Sequence, residues 1–152
     1  MSSIIKLRKI FKENKTIAIV GLSNDWFRPS YFVGKYMMDK GFDIIPVNPK
    51  YSKILNKKCY ANLKDIPKKV DIVDVFRKNE YCKEIASEAV NIGAKVLWLQ
   101  LGIINKDVKD IIKNSNLELI MDRCIKIEHA RLFGGLNFFG VNTQIISSKR
   151  FF

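Results

Sequence analysis

"IAIVGLSNDWFRPSY", residues 17–31, begins like a dinucleotide-binding fingerprint and then departs from it. An apolar, β-branched run from Ile17 to Val20 predicts a strand, and Gly21 permits the tight turn that follows it. Pro29, the favoured first residue of a helix, sets the next element. Strand, glycine turn and helix together specify the opening unit of a parallel α/β fold. The usual G-x-G-x-x-G would put a second glycine where Ser23 stands. The turn therefore offers a phosphate one glycine, the hydroxyls of Ser23 and Ser30, and the guanidinium of Arg28.

Outward from that unit, strand-like and helix-like patterns alternate. Strands are predicted at 16–20, 43–47, 70–76, 95–99 and 117–121, each short and mostly apolar, as strands covered on both faces should be. Pro46 lacks an amide hydrogen, so the second strand is expected to end or loosen there. Helices are predicted over 29–40, closed by Gly41, over 80–92 between Asn79 as cap and Gly93, and over 106–114 behind Asn105. Val33, Tyr36 and Met37 form the inner stripe of the first, Cys82, Ile85 and Ala89 that of the second, and Val108, Ile111 and Ile112 that of the third. Residues 63–67 read as one short helical turn. The fold class is a three-layer α/β/α Rossmann-like doubly wound parallel sheet of about five strands, in a single domain spanning 1–152. Residues 1–14 read as an amphipathic helix covering the end of the first strand; the other reading is a transit peptide or membrane-surface helix. The tail 133–152 is apolar without period. It reads as an arm packed on the domain or on a partner subunit, which would allow a homodimer.

Composition narrows the function classes. The chain has 152 residues and a formal net charge of +12. No apolar run approaches the roughly 20 residues that span a bilayer. Cys59, Cys82 and Cys124 are odd in number and widely spaced, and with the lone His129 they make no zinc motif. Reduced thiols and a cytoplasmic location follow. The positive charge raises nucleic acid as a partner, but the lysines are spread along the chain and no aromatic–basic RNA motif is present. A polyanionic small ligand also prefers a basic rim.

In open parallel sheets ligands bind at the carboxyl ends of the strands, where strand order reverses. The residues just past the strands are Gly21-Leu22-Ser23-Asn24, Asn48-Pro49-Lys50, Phe76-Arg77, Gln100-Leu101-Gly102 and Asp122-Arg123-Cys124. Backbone amides around Gly21 and the start of the helix after Arg28 suit an anion, and Arg28 can grip a phosphate with two donors. Gly21 as a plain turn and Arg28 as a solvated side chain is the competing reading. The end of the second strand carries more information. An NAD site places an acid there to accept from the ribose diol. Asn48-Pro49-Lys50 supplies no acid and adds a cation, which fits a phosphorylated ribose, unless the tripeptide only makes a turn. NADP, with a 2′-phosphate, and coenzyme A, with a 3′-phosphate, both qualify.

Four stretches, "VGLSNDWFRPSYFVGKYMMDKGFDIIPVNPK" (20–50), "DIPKKVDIVDVFR" (65–77), "GAKVLWLQLGI" (93–103) and "MDRCIKIEHARL" (121–132), resemble successive motifs of the CoA-binding protein family. That family is similar to the N-terminal CoA-binding domain of the succinyl-CoA synthetase α subunit. The resemblance runs from about residue 16 to 132 and implies a Rossmann-like fold that binds coenzyme A. It places Gly21, Ser23 and Arg28 by the pyrophosphate, and Asn48, Pro49 and Lys50 at the phosphorylated adenosine. Phe76 and Arg77 would flank the nucleotide, and Gln100 with Gly102 would line the path of the pantetheine. Leu22 stands where the family has a small residue, and "NDWF" is bulkier than its polar loop, so Leu22 or Trp26 turned inward would block the cleft.

No set of residues has catalytic spacing, and the synthetase's phosphorylated histidine belongs to a domain not present in these 152 residues. His129 is expected to be a packed or hydrogen-bonded side chain, and Glu128 and Arg131 to form local ion pairs. Cys124 is the candidate thiol: Arg123 beside it is expected to lower its pKa, and it could form a mixed disulfide with CoA. The expected function is a binding module for CoA or a short acyl-CoA without chemistry of its own. The alternatives are an NADP-dependent oxidoreductase or NADP-binding regulatory protein, and, from charge alone, a nucleic-acid binder.

Overall fold

The computed structural model describes residues 3–134. Five parallel strands form its centre: β1 (Thr16–Val20), β2 (Asp43–Val47), β5 (Ile72–Val75), β6 (Val96–Leu99) and β7 (Glu118–Ile120). They lie side by side in the order β2-β1-β5-β6-β7. The chain steps from β1 outward to β2 and then returns to the other side of β1, so the order reverses between β1 and β5. That reversal opens a crevice at the carboxyl ends of the two strands, where Gly21 and Phe76 emerge. The three-layer parallel α/β expectation holds.

Helices cover both faces. On one lie α1 (Ser3–Glu13), α2 (Pro29–Asp39) and α5 (Ile125–Phe133), whose Leu7, Ile10, Phe11, Val33, Met37, Ile125 and Leu132 pack on Ile17, Ile19, Ile72 and Trp98. On the other lie α3 (Cys82–Asn91) and α4 (Asp107–Ile112), with Cys82, Ile85, Ala89 and Val108 against Ala18, Val73, Val75 and Leu97. Alternate strand residues supply the two faces, as a pleated strand requires. α1 is therefore a core element: Leu7, Ile10 and Phe11 are almost fully buried. Among the described residues, no helix is long and apolar enough to cross a membrane.

Several local expectations are corrected. β2 continues through Pro46 to Val47, because β2 is the edge strand of this sheet and Tyr60, which bridges its outer side, donates to the Pro46 carbonyl and accepts from the Asn48 amide, so that bridge needs no amide at residue 46. A hairpin unforeseen in the sequence, β3 (Lys53–Ile54) and β4 (Lys57–Lys58), folds beside β2, turning through Leu55 and Asn56 at φ 54° and 59°. That double left-handed turn matches strand twist. Asn79 does not cap α3: it lies in a 3₁₀ turn (Asn79–Tyr81), and its side-chain amide donates to the Ile104 carbonyl. Asn105 does organise the start of α4, its Oδ1 accepting from the Asp107 amide, although the helix begins one residue later than expected and ends two residues earlier, at Ile112. Most of the proposed C-terminal arm, from residue 135, lies outside the described residues.

Candidate functional site

Gly21 is the pivot of the strand-end crevice. Its φ of +87° lies in the region that favours glycine, and a Cβ there would collide with the Phe76 carbonyl oxygen. The chain then turns through Leu22, Ser23 and Asn24 to α2. The Ser30 hydroxyl, at the start of that helix, accepts from the Ser23 amide (2.9 Å), and the Ser23 hydroxyl accepts from the Asp25 amide (3.0 Å). Both serines thus shape the loop internally, with their own O–H groups left to donate. Gly21, Ser23, Asp25, Arg28, Pro29, Ser30, Asn48, Lys50, Tyr51 and Phe76 line one cavity of about 460 Å³. The N-terminus of α2 opens onto it: Pro29 has no amide hydrogen and the Tyr31 and Phe32 amides bond back to the Arg28 carbonyl, which leaves the Ser30 amide and the positive end of the helix dipole for an anion. Arg28 stands at the rim, mostly exposed and only 3.9 Å from Asp25 in a weak solvent-screened pair.

Leu22 does not enter this space. It is fully buried, its side chain turned into the core beside Gly34, so a bulky residue here fills the core and leaves the crevice open. Trp26 is 70% exposed and packs edge-on against Phe27 in solvent, away from the cavity wall. Asn24 is exposed and does not line the cavity either.

Asn48 is a structural clasp. Its side-chain amide donates to the Leu22 carbonyl (3.0 Å), and its Oδ1 accepts from the Lys50 amide (2.9 Å). This ties the loop after β1 to the end of β2 and projects Lys50 over the cavity. Lys50 makes no ion pair among the described residues, so its charge is available at the cavity wall. Pro49 faces the other way, into a second cavity of about 150 Å³ that also touches Gly21. Val20, Val47, Ala61, Asn62, Arg77, Tyr81, Glu84, Ile85 and Glu88 complete its wall. Arg77 lies over the Tyr81 ring, its guanidinium carbon 4.3 Å from the centroid. Phe76 and Arg77, adjacent in sequence, therefore serve different cavities.

Gln100 and Gly102 join neither. Gln100 is 4% exposed and turns down into the sheet, donating from Nε2 to Asp74. The Gly102 amide is held by Asp122 Oδ1 at 2.8 Å. Asp74, unremarked in the sequence, is fully buried on β5; its Oδ2 has no hydrogen-bond partner. Burial raises its pKa to about 8, with the Gln100 hydrogen bond pulling the other way. The signal was present: a carboxylate interrupting the apolar run of a doubly covered strand.

Cys124 stands at the N-terminus of α5, and its thiol pKa is raised, contrary to expectation. Burial dominates; hydrogen bonds from the Ile127 and Lys126 amides oppose it, and the nearby Asp74 adds to the rise. The Arg123 side chain pairs with the fully buried Glu128 at 3.7 Å, the local ion pair expected of Glu128, and the charge of Arg131 also favours the Glu128 carboxylate. α5 itself was missed in the sequence because Glu128 and His129, both buried, break its apolar stripe. His129 is a packed side chain as expected. Its Nδ1 is 3.0 Å from the Tyr36 hydroxyl and its ring stacks on Phe133. Burial lowers its pKa to about 4, with Lys40 and Lys15 contributing.

The family model for a CoA binding domain matches residues 15–130. The chain belongs to this CoA-binding domain family. The match covers the whole described sheet and all of its strand-end loops, and bears out the resemblance carried by the four motifs. Among relatives, "Uncharacterized protein YneT" of Bacillus subtilis (strain 168) is 40% identical over 125 residues, 82% of this chain and 93% of that protein. An ADP-forming acetate–CoA ligase of Methanocaldococcus jannaschii is 25% identical over 126 residues; they are 78% of this chain but 18% of the ligase. A solved structure, described as a hypothetical protein from Pyrococcus horikoshii OT3, superposes with a TM-score of 0.84 at 37% identity. The superposition covers 87% of this chain and 93% of that one. This CoA-binding domain thus has relatives of its own size as well as ones many times longer.

Proposed function

We propose that the protein binds coenzyme A, or a short acyl-CoA, across the carboxyl edge of its sheet and holds it without chemistry of its own. The observation that carries this reading is the convergence on one cavity of the α2 N-terminus, Arg28 and Lys50, with no acid at the end of β2. The diphosphate rests on the helix tip, where the Ser30 amide and the dipole favour an anion. Lys50 meets the 3′-phosphate of the ribose. The Asn48 clasp fixes the distance between the two. Membership of the CoA-binding domain family supports the choice of ligand. No disulfide joins the three thiols, which suits a reducing, cytoplasmic setting.

Calorimetry on the full chain tests it. CoA should bind in the micromolar range or tighter, and dephospho-CoA about tenfold more weakly, the loss of one charge-assisted contact. Lys50→Glu should weaken CoA strongly and dephospho-CoA little. Equal affinity of the wild type for the two ligands removes the role of Lys50. A 2′-phosphate could use the same lysine, so NADPH is titrated in parallel; tight NADPH binding with no CoA binding replaces this reading with the NADP alternative.

A further inference from the structure

The cavity of about 150 Å³ on the α3 side of Gly21 has no part in holding phosphates. Its size and walls describe a different ligand group. A space of this volume accepts a single aromatic ring, and this one opens to solvent, so a second fused ring can extend outward. Val20, Val47, Pro49 and Ile85 give it apolar walls, and the stacked Arg77–Tyr81 pair borders it with two flat faces. Two carboxylates, Glu84 and Glu88, complete the lining one helical turn apart on α3. Like charges at this spacing destabilise a helix. Glu88 has a raised pKa, from partial burial and then from Glu84, with Lys64 opposing.

Carboxylates accept hydrogen bonds and repel other acceptors. A flat ring held among them is favoured if its edge carries an amino group and disfavoured if it carries a carbonyl. The two cavities share only Gly21, where the backbone can be approached closely because there is no side chain. The turn Asn48-Pro49-Lys50 straddles them, with Pro49 in the smaller and Asn48 and Lys50 in the larger.

We propose that this second cavity seats the base of the bound nucleotide, and that Glu84 and Glu88 select adenine by accepting hydrogen bonds from its exocyclic amino group. The inference rests on the CoA reading above and adds to it a specificity determinant on α3. Phosphate affinity comes from one side of Gly21 and base identity from the other. A base bearing a carbonyl at the same position turns an acceptor towards the two carboxylates and keeps only its ring N1–H as a donor, and a polar site built for an amino group disfavours such a partner.

Calorimetry with CoA and with its deaminated analogue, in which hypoxanthine replaces adenine, tests this on the full chain. The wild type should prefer CoA by about tenfold or more. Glu88→Gln and Glu84→Gln, at helix positions that are not fully buried, should each shrink that ratio, because an amide can donate to the carbonyl. The double variant should bring it to about threefold or less. Lys50→Glu should weaken both ligands and leave the ratio unchanged. If CoA binds but the wild type does not discriminate, or the Gln variants keep the ratio, the base-selection proposal fails and the CoA reading survives. If CoA does not bind at all, both fall together.

Discussion

Replacing Asp74 by Asn should change how stability responds to pH more than any surface substitution. The carboxyl sits fully buried in the middle sheet, and its pKa rises from 3.8 to about 8 because burial penalises the charged form. A group whose folded pKa is raised binds its proton more tightly in the native state. Its contribution is fully present below pH 3.8 and is lost as pH rises towards about 8. At about 1.4 kcal/mol for each tenfold change in proton affinity, the whole span is worth on the order of 5 kcal/mol. That is comparable to the total stability of a small domain. Asn keeps the oxygen that accepts from Gln100 and removes the titration. His129 acts in the opposite sense: with its pKa lowered to about 4, its contribution is lost as pH falls from 6.5 to 4. It is common to both proteins, so their difference isolates Asp74. Urea unfolding of the wild type and Asp74→Asn across this range is the assay. Relative to the variant, the wild type should lose several kcal/mol between acid and mildly alkaline pH. Two curves that stay parallel within about 1 kcal/mol would refute the buried-carboxyl argument.

Two further outcomes follow from the geometry. Gly21→Ala puts a side chain against the Phe76 carbonyl at a φ of +87°. The backbone strain alone costs about 1–2 kcal/mol. The melting temperature should fall by at least several degrees and CoA affinity should drop with it; an unchanged melting curve contradicts the turn geometry. Cys124, held high by burial, should react with CoA disulfide more slowly than a free thiol and faster as pH rises. In that exchange the Cys124 thiolate displaces one CoA as its thiolate. Intact mass should show a reductant-reversible adduct absent from Cys124→Ser, and a rate above that of a free thiol overturns the burial argument.

The five strands, the glycine-closed helices and the turn at Gly21 were legible because each is set by neighbours in sequence. β-branched runs make strands, and Pro29 and Gly41 bound a helix whatever lies across the core. The lining of the larger cavity was legible for the same reason: Ser23, Arg28, Asn48 and Lys50 belong to loops whose position follows from strand ends. Three features were not legible. The β3–β4 hairpin has two residues per strand, too few for a period. α5 hides its helical stripe behind a buried glutamate and histidine. Pro46 was misjudged because only the strand order reveals an edge.

What the sequence by itself determined was the order of elements and which residues emerge at the strand ends. Tertiary structure decided which way their side chains point. Leu22 and Gln100 sit at the expected places yet turn into the core, Leu22 against Gly34 and Gln100 towards Asp74. Glu84 and Glu88, on the outer turns of α3, reach the rim only because α3 packs across β5 and β1. Local spacing fixes backbone conformation; the direction of a side chain at a strand end depends on which partner across the sheet leaves space for it or supplies its hydrogen bond, and that partner is far away in sequence.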